Sequence, residues 1–363
     1  MSELRILTVV GARPEFIKLA PLSRALADRD EEPGLAETVV HTGQHYDADM
    51  SAAFFAELGL AEPIHLGVGS GSHGAQTGRM LELLDALIAA HRPGLVIVYG
   101  DTNSTLAGAL AAAKLGVPVA HVEAGLRSWN PAMPEEINRR LTDRLASLLL
   151  CPSAHSAGNL AAEGISRGVH ITGDVNLDAL LRFLPGESEQ EREVAGFGVE
   201  PGGYALATVH RAENTDDADR LQAILAALGR VAAELPVVFP VHPRTRDRLG
   251  GAVVPGGIVM VPPIGYRRLL CLEARARVGL TDSGGVQKEL FWLGTPCVTL
   301  RRETEWVETL DGGRNVLVDA DPAAIVGAAL RPIGRLDPPP PVYGDGRAAA
   351  AIAGTLAAWA GSL

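Results

Sequence analysis

The sequence predicts an α/β protein built from two doubly wound domains that face a central cleft. Short β-prone runs, apolar on both faces, alternate with helical runs, which is typical of buried parallel sheets. The chain has 363 residues, more than one hydrophobic core usually serves. The alternation of strands and helices is interrupted once, near Gly173–Pro201, where Pro185, Gly186 and a charged run suggest a hinge and connector. We therefore expect one domain over residues 1–173 and a second over residues 174–346.

The first half contains five predicted strands, which are rich in Val, Ile and Leu. They are Leu4–Val10, Glu37–His41, Leu95–Tyr99, Val117–Val122 and Ala146–Cys151. Apolar residues at helical spacing predict a helix in each connection. These helices are Glu15–Ala27, Asp49–Leu58, Gln76–Ala90, Ser104–Leu115 and Pro134–Leu145.

The second half repeats the pattern with six predicted strands. They are Tyr204–Val209, Val237–Val241, Ile258–Val261, Ala276–Thr281, Pro296–Thr299 and Asn315–Val318. A final helix is expected within residues 347–363, where Ile352, Leu356 and Trp359 form one apolar face. We expect this helix to pack back on the first domain.

Composition limits the possible partners and the compartment. The net charge is −11 without any block of Lys or Arg, which argues against nucleic acid. No apolar run reaches membrane-spanning length and no signal peptide is evident, so no membrane association and a cytoplasmic location are expected. The three cysteines lie far apart in apolar surroundings, which indicates buried, reduced thiols without a metal site.

One stretch, Thr281–Gly294, combines a strand end, a glycine turn and a helix start. Ser283 can cap the helix, while Gly284 and Gly285 allow backbone N–H groups to approach a ligand closely. A helix N-terminus of this kind attracts phosphate, and Glu289 lies near enough to bind an attached sugar. The alternative is an ordinary turn between a strand and a helix.

Three carboxylates follow predicted elements of the first half. Asp101 and Glu123 each follow a strand, and Glu135 opens a helix in which Arg139 lies one turn further on. Asp101 could instead cap the next helix, and acidic residues in a first turn are favoured by the helix dipole. Glu123 is harder to explain structurally, because a carboxylate between an apolar strand and Ala-Gly is neither a cap nor a surface residue.

Basic residues also follow strands. Arg13 and Lys18 come after the first strand, and His210 and His242 follow two strands of the second half. Solvated charges and structural histidines are the alternatives to anion binding and proton transfer. The turn at residues 11–15 lacks both the NAD fingerprint and the Walker pattern, so no cofactor is expected.

Eight motifs together resemble the non-hydrolysing UDP-N-acetylglucosamine 2-epimerases. They are GARPEFIK, GDTNST, HVEAGLRS, MPEEINR, ATVHRAEN, PVHPR, TDSGGVQKE and YGDG, in the family's order from Arg13 to Gly346. The resemblance implies a glycosyltransferase-B-like fold of two Rossmann-like domains, a homodimer and conversion of UDP-GlcNAc to UDP-ManNAc.

The resemblance also implies roles for individual residues. Acid/base catalysis would involve Asp101, Glu123 and Glu135 together with His210, and nucleotide-sugar binding would involve Arg13, Lys18, Arg139, His242, Ser283, Gly284, Gly285 and Glu289. Some family members bind a second UDP-GlcNAc as an activator, and Gln44 and His242 are candidates for such a site.

Two residues differ from those common in the family, so the sequence does not define which UDP-sugar is the substrate. Trp306 stands where many members have an arginine that contacts the nucleotide, and Asp174 replaces a common asparagine. The chain also resembles a branch that acts on UDP-2,3-diacetamido-glucuronate, so a 2-epimerase for a modified UDP-sugar is the main alternative. A glycosyltransferase of the same fold, a hydrolysing epimerase and a non-catalytic UDP-sugar sensor are the others.

Overall fold

The protein was analysed as a computed structural model, which describes residues 3–29, 34–44, 54–249 and 255–362. The chain divides into two compact units. The first unit is Met1–Leu181 together with Pro341–Leu363, and the second is Arg182–Pro340.

A seven-stranded parallel sheet forms the centre of the first unit, with strand order β3-β2-β1-β4-β5-β6-β7. The strands are β1 (Leu4–Val10), β2 (Leu35–His41), β3 (Ile64–His65), β4 (Leu95–Tyr99), β5 (Val119–Val122), β6 (Leu148–Cys151) and β7 (Val169–Ile171). All of β4, β5 and β6 are buried, because helices cover both faces of a parallel sheet.

Helices connect these strands. They are α1 (Arg13–Ala27), α2 (His73–His91), α3 (Asn103–Lys114), α4 (Pro134–Leu145), α5 (Ala154–Ala162) and α6 (Val175–Phe183), and residues 54–58 are helical as well. Apolar side chains of β1 and β4 pack with Met80, Leu84 and Ile88 of α2 in the core of this unit. Alanines of α3 allow that helix to lie close against the sheet.

The second unit contains a six-stranded parallel sheet with strand order β10-β9-β8-β11-β12-β13. Its strands are β8 (Ala205–Thr208), β9 (Val237–Pro240), β10 (Ile258–Val261), β11 (Val278–Thr281), β12 (Cys297–Thr299) and β13 (Asn315–Leu317). Its helices are α7 (Glu187–Ala195), α8 (Ala212–Thr215), α9 (Ala218–Ala232), α10 (Pro243–Leu249), α11 (Tyr266–Arg275), α12 (Gly284–Leu293) and α13 (Pro322–Ala329), with a 3₁₀ segment at Val307–Gly313.

The predicted fold class, α/β with two parallel-sheet domains, is confirmed. Strands β3 and β7 are additional to the predicted ones; with two and three residues, they are too short to show a pattern in the sequence. The segment Gly173–Pro201, expected to be a hinge and connector, contains the helices α6 and α7. The predicted helix Asp49–Leu58 lies partly outside the described residues. The three cysteines are buried and free, as expected.

The last helix, α14 (Ala348–Ala360), belongs to the first unit and packs on α1. Its Ile352 and Leu356 are fully buried. Its own N-cap residue, Arg347, provides no capping hydrogen bond, but the Asp178 carboxylate of α6 accepts hydrogen bonds from the backbone N–H groups of Ala348 and Ala349. A residue 170 positions earlier therefore caps the C-terminal helix.

Replacing Asp178 by Ala should loosen α14, because two N–H groups lose their acceptor at a cost of about 1 kcal/mol. Hydrogen exchange of the amides within 348–360 is the measurement, and their protection should fall. Asp217→Ala removes the local cap of α9 instead and should leave these amides protected. Unchanged exchange in α14 of the Asp178 variant would show that this contact does not hold the helix.

Candidate active site

Strand order determines where a site can form in the first unit. Strands β1 and β4 are parallel neighbours, with β2 on one side and β5 on the other, so successive strands are added to the sheet in opposite directions from this point. Ligands of such sheets bind beyond the carboxyl ends of the strands at this switch point. The turn 11–13 follows β1 and the turn 100–102 follows β4, so both lie there.

Lys18 of α1 forms a buried ion pair with Glu123, which directly follows β5. Lys18 is 9% exposed and Glu123 is 6% exposed. Burial by itself lowers the pKa of Lys18, but the Glu123 carboxylate and the nearby Asp101 outweigh burial, so the pKa is raised and Lys18 is an ammonium ion. The predicted site residues Lys18, Glu123 and Asp101 are thus brought together.

The backbone at Glu123 is strained. Its φ of 73° lies in the left-handed region, which a glutamate rarely adopts. Opposite it, Gly100 has a φ of 60°, and a Cβ atom there would lie 3.0 Å from Lys18 Nζ and 3.2 Å from Glu123 Oε2. Only glycine combines this conformation with so close an approach.

Asp101 accepts hydrogen bonds from Arg139 of α4, whose Nε atom lies 3.2 Å from Oδ2. The Nη1 atom of the same arginine donates to Glu136 at 2.8 Å. Arg139 is 1% exposed, so its charge is balanced by two carboxylates rather than by water. Asp101 does not cap α3, because Thr102 does so through a hydrogen bond from Thr105 N. The structural alternative considered for Asp101 is therefore wrong.

The other predicted residues of the first unit lie at the following places. Glu135 is half-buried in the first turn of α4, and the contacts between that helix and Asp101 run through Arg139 and through Asn138, whose amide donates to the Asp101 carbonyl. The Arg13 guanidinium stacks on Phe54 at 4.2 Å from the ring centroid. Gln44 accepts hydrogen bonds from the backbone N–H and hydroxyl of Ser104.

Glu15 is a residue whose importance the sequence did not reveal. Its carboxylate is 1% exposed and accepts hydrogen bonds from the backbone N–H groups of Gly11 and Ala12 and from the hydroxyl groups of Thr102 and Thr105. It thereby joins the turn after β1 to the turn after β4. A glutamate in the first turn of α1, where the helix dipole favours a negative charge, is the only signal for it in the sequence.

His121 on β5 is the second such residue. Its ring is fully buried, with Nδ1 2.7 Å from Asp143 Oδ1 and Nε2 2.7 Å from the Gly100 carbonyl oxygen. The two ring nitrogens therefore link Asp143 of α4 to the backbone of the Gly100 turn. Burial raises the pKa of Asp143, but His121 and Arg127 outweigh burial and lower it. These hydrogen bonds hold the Gly100 turn in place.

The second unit has its switch point between β8 and β11. Asp282 follows β11, is fully buried, and accepts hydrogen bonds from the backbone N–H groups of His210 and Arg211 and from the Asn214 amide. The His210 Nδ1 atom lies 3.1 Å from Asp282 Oδ1, and the His210 and His242 rings are 5.8 Å apart. Burial raises the pKa of Asp282, but His210, Arg211 and Asn214 outweigh burial and lower it to about 2.

The glycine turn has the predicted geometry. Ser283 is the N-cap of α12 and accepts a hydrogen bond from Val286 N, so the N–H groups of this helix start remain directed outward at Gly284 and Gly285. The indole of Trp306 lies against this turn, since a Cβ atom on Gly284 would be 2.8 Å from its Nε1. The ammonium of Lys288 lies 3.6 Å from the centroid of the Trp306 ring.

Glu289 is 4% exposed and accepts a hydrogen bond from the Tyr266 hydroxyl at 2.9 Å. Glu273 is fully buried beside it, and burial followed by the charge of Glu289 raises the pKa of Glu273 well above its ordinary value. Burial therefore favours the neutral form of the Glu273 carboxyl. Among all the described residues, no group of three or more His, Cys, Asp or Glu side chains is arranged to hold a metal ion. No helix in those ranges is long and apolar enough to cross a membrane.

Two parallel-sheet units, each with polar groups at its switch point, define an α/β protein of the glycosyltransferase-B-like class. The profile of the family described as UDP-N-acetylglucosamine 2-epimerase matches residues 27–357. The chain therefore belongs to this family, and it is an epimerase, an isomerase.

Individual relatives agree with this assignment. The UDP-2,3-diacetamido-2,3-dideoxy-D-glucuronate 2-epimerase of Pseudomonas aeruginosa is 47% identical, over 98% of this chain and 99% of its own. The UDP-N-acetylglucosamine 2-epimerase of Methanocaldococcus jannaschii is 42% identical, over 87% of this chain and 88% of its own. A crystal structure of the M. jannaschii UDP-GlcNAc 2-epimerase in complex with UDP-GlcNAc and UDP has a TM-score of 0.87 and 39% identity, covering 98% of this chain and 99% of that one.

Gly100→Ala should disrupt the Lys18–Glu123 pair and reduce epimerase activity by about tenfold or more, because the new methyl group displaces both charged atoms. Gly116→Ala is a matched control, since Gly116 has a φ of 71° but open space around it. Both variants should lose roughly 1 kcal/mol of stability from backbone strain. Steady-state kinetics and thermal melts separate the two effects; equal activity in both variants would contradict this role of Gly100.

Asp282→Asn should destabilise the second unit in a pH-dependent way. The folded pKa of about 2 lies below the ordinary aspartate value of 3.8, so the carboxylate stabilises the fold above about pH 4, and this contribution disappears between about pH 4 and 2. The variant should lose about 2 kcal/mol at pH 7, and the difference from wild type should shrink below pH 4. Urea unfolding at several pH values measures it, with the exposed Asp247→Asn as control. A difference independent of pH would refute the assignment.

Proposed function

We propose that the protein interconverts UDP-GlcNAc and UDP-ManNAc by eliminating UDP to form 2-acetamidoglucal and then adding UDP back. The observation that supports this best is the arrangement of Asp101 and Glu123 around Lys18 at the first switch point. Inversion at C2 needs proton-transfer groups that reach both faces of the sugar, and two carboxylates from different strand ends can provide them.

The chemistry explains why such groups are needed. The C2 proton has no neighbouring carbonyl, so its direct removal would leave an unstabilised carbanion. When the anomeric C–O bond to UDP weakens first, C1 gains oxocarbenium character and the C2 proton becomes acidic enough for a carboxylate to remove. UDP leaves with the electron pair of the broken bond, and the C1–C2 double bond forms. Addition of UDP with protonation of C2 on the other face gives the epimer.

Each residue has a proposed part in this sequence. Glu123 and Asp101 exchange protons with C2, and Lys18 keeps Glu123 ionised between turnovers. Glu135, at the start of α4, is proposed as the third acid/base group. In the second unit, His210 and the N–H groups at Gly284 and Gly285 are proposed to stabilise the departing diphosphate. Arg13, on α1 of the first unit, stays a predicted contact of the nucleotide-sugar. Glu289, fixed by Tyr266, accepts hydrogen bonds from the ribose.

A second candidate is a 2-epimerase for UDP-2,3-diacetamido-2,3-dideoxy-glucuronate. It is favoured by the relative of that activity, which is 47% identical over nearly the whole of both chains. The elimination and re-addition are the same for both sugars, so the carboxylates keep their roles. The sugars differ at C3 and C6, which take no part in the reaction at C1 and C2.

A homodimer, a cytoplasmic location and an activator site that includes Gln44 and His242 stay predictions. The exposed Ile137 and Leu141 lie one turn apart on α4 and support self-association through that helix.

The experiment is proton NMR of the purified protein with UDP-GlcNAc in D2O, without added NAD or metal. A parallel sample contains UDP-2,3-diacetamido-2,3-dideoxy-glucuronate instead. Deuterium should enter C2 while the 2-epimer appears with the nucleotide still attached. The variants Asp101→Asn, Glu123→Gln and Glu135→Gln should each lose turnover by a factor of about 100 or more and still bind UDP. Glu82→Gln, an exposed change on α2, is the control. An active triple variant would refute the mechanism.

The two sugars give separable outcomes. Exchange with only the glucuronate would move the assignment to the second candidate. Free ManNAc together with UDP would show that water reaches the intermediate and that the enzyme is hydrolytic.

A further inference from the structure

Arg301 in the second unit is a buried cation with unused hydrogen-bonding capacity. It follows β12 and is 1% exposed. Among the described residues, its Nε, Nη1 and Nη2 atoms make no hydrogen bond. A guanidinium has five N–H donors, and leaving them unpaired away from water is costly. A ligand that accepts hydrogen bonds from this group would account for its burial.

One carboxylate keeps the charge of Arg301 in place. The Nη1 atom lies 2.9 Å from Glu305 Oε2, an ion pair without the alignment of a hydrogen bond. The other oxygen of Glu305 accepts a hydrogen bond of 3.4 Å from Arg211 Nη2. Two arginines from different strand ends therefore share a single carboxylate, and the group carries a net positive charge.

This group lies at the glycine turn. A Cβ atom on Gly284 would be 3.1 Å from Glu305 Oε1, so the carboxylate that holds Arg301 is in contact with the start of α12. The helix N-terminus and the buried guanidinium are separate features with the same preference, since both bind oxyanions. Glu305 connects the two features, because it pairs with Arg301 and lies against Gly284.

We propose that Arg301 binds the diphosphate of the nucleotide, and that Glu305 holds the guanidinium while the site is empty. The ligand identity rests on the proposed function. The planar fork of Arg301 matches two phosphate oxygens, and the N–H groups at Gly284 and Gly285 bind the same group from the helix side. When the diphosphate enters, it takes over from Glu305 as the counter-ion of Arg301.

The first test compares UDP with uridine by isothermal titration calorimetry. Arg301→Lys keeps the positive charge but removes the planar guanidinium, which can bind two phosphate oxygens at once. UDP affinity should therefore fall by at least about tenfold, while uridine affinity stays unchanged. Arg302→Lys is the matched control, since this neighbouring arginine is exposed and pairs with Asp319. Unchanged UDP binding, or an equal loss for uridine, would overturn the proposal. If Arg301 bound a sugar carboxylate instead, UDP binding would not change.

The second test uses Glu305→Gln, which removes the competing carboxylate. UDP should then bind several-fold more tightly, with a steeper dependence on salt, because two arginines face the anion without their counter-ion. A purely structural ion pair predicts lower thermal stability without any gain in UDP affinity, and that result would also overturn the proposal. Neither test requires turnover, so failure of the epimerase assay leaves the role of Arg301 to be decided by UDP binding alone.

Discussion

The ion pair between Lys18 and Glu123 is the constraint on which the first unit depends. An isolated charge of either sign would be very costly at this depth, so each residue can be buried only because the other is present. The pair joins α1 to the end of β5 across the end of β4, which requires β1, β4 and β5 to be neighbours. Gly100 provides the space between them. Fold and proposed chemistry therefore depend on the same contact.

The surrounding contacts show how the protein tolerates several buried charges at one sheet edge. Each carboxylate there has its own set of donors: Glu15 has backbone N–H groups and hydroxyls, Asp101 has Arg139, and Asp143 has His121 and Arg127. Networks in which every member is satisfied hold side chains rigidly. Rigidity is what proton transfer to a sugar carbon requires, because donor and acceptor must be correctly placed before the bond breaks.

The proposed anion site of the second unit is also held by a buried carboxylate. Asp282 accepts hydrogen bonds from the N–H groups of His210 and Arg211 and thereby fixes the chain after β8, which includes the residue proposed to bind the diphosphate. Arg301 and Arg211 share the Glu305 carboxylate, which lies against the glycine turn. A diphosphate leaving group gains most from charge that is already in position, because no reorganisation is then needed as the bond breaks.

The sequence alone determined the fold class and most elements, because apolar runs of strand length and apolar residues at helical spacing are local patterns. It also singled out Glu123 as a candidate site residue, since a carboxylate at the end of an apolar strand has no local explanation. The Ser283 cap could be predicted as well, because it is a local motif. Only the tertiary structure determined which hydrogen-bond and ion-pair partners the buried charged residues have. Glu15, His121 and Asp282 look like ordinary cap, strand and turn residues until strands distant in sequence become neighbours, and the donors of Arg301 can be counted only when its surroundings are known. Pairing between buried charges depends on strand order, and strand order is not encoded in any single stretch of the chain.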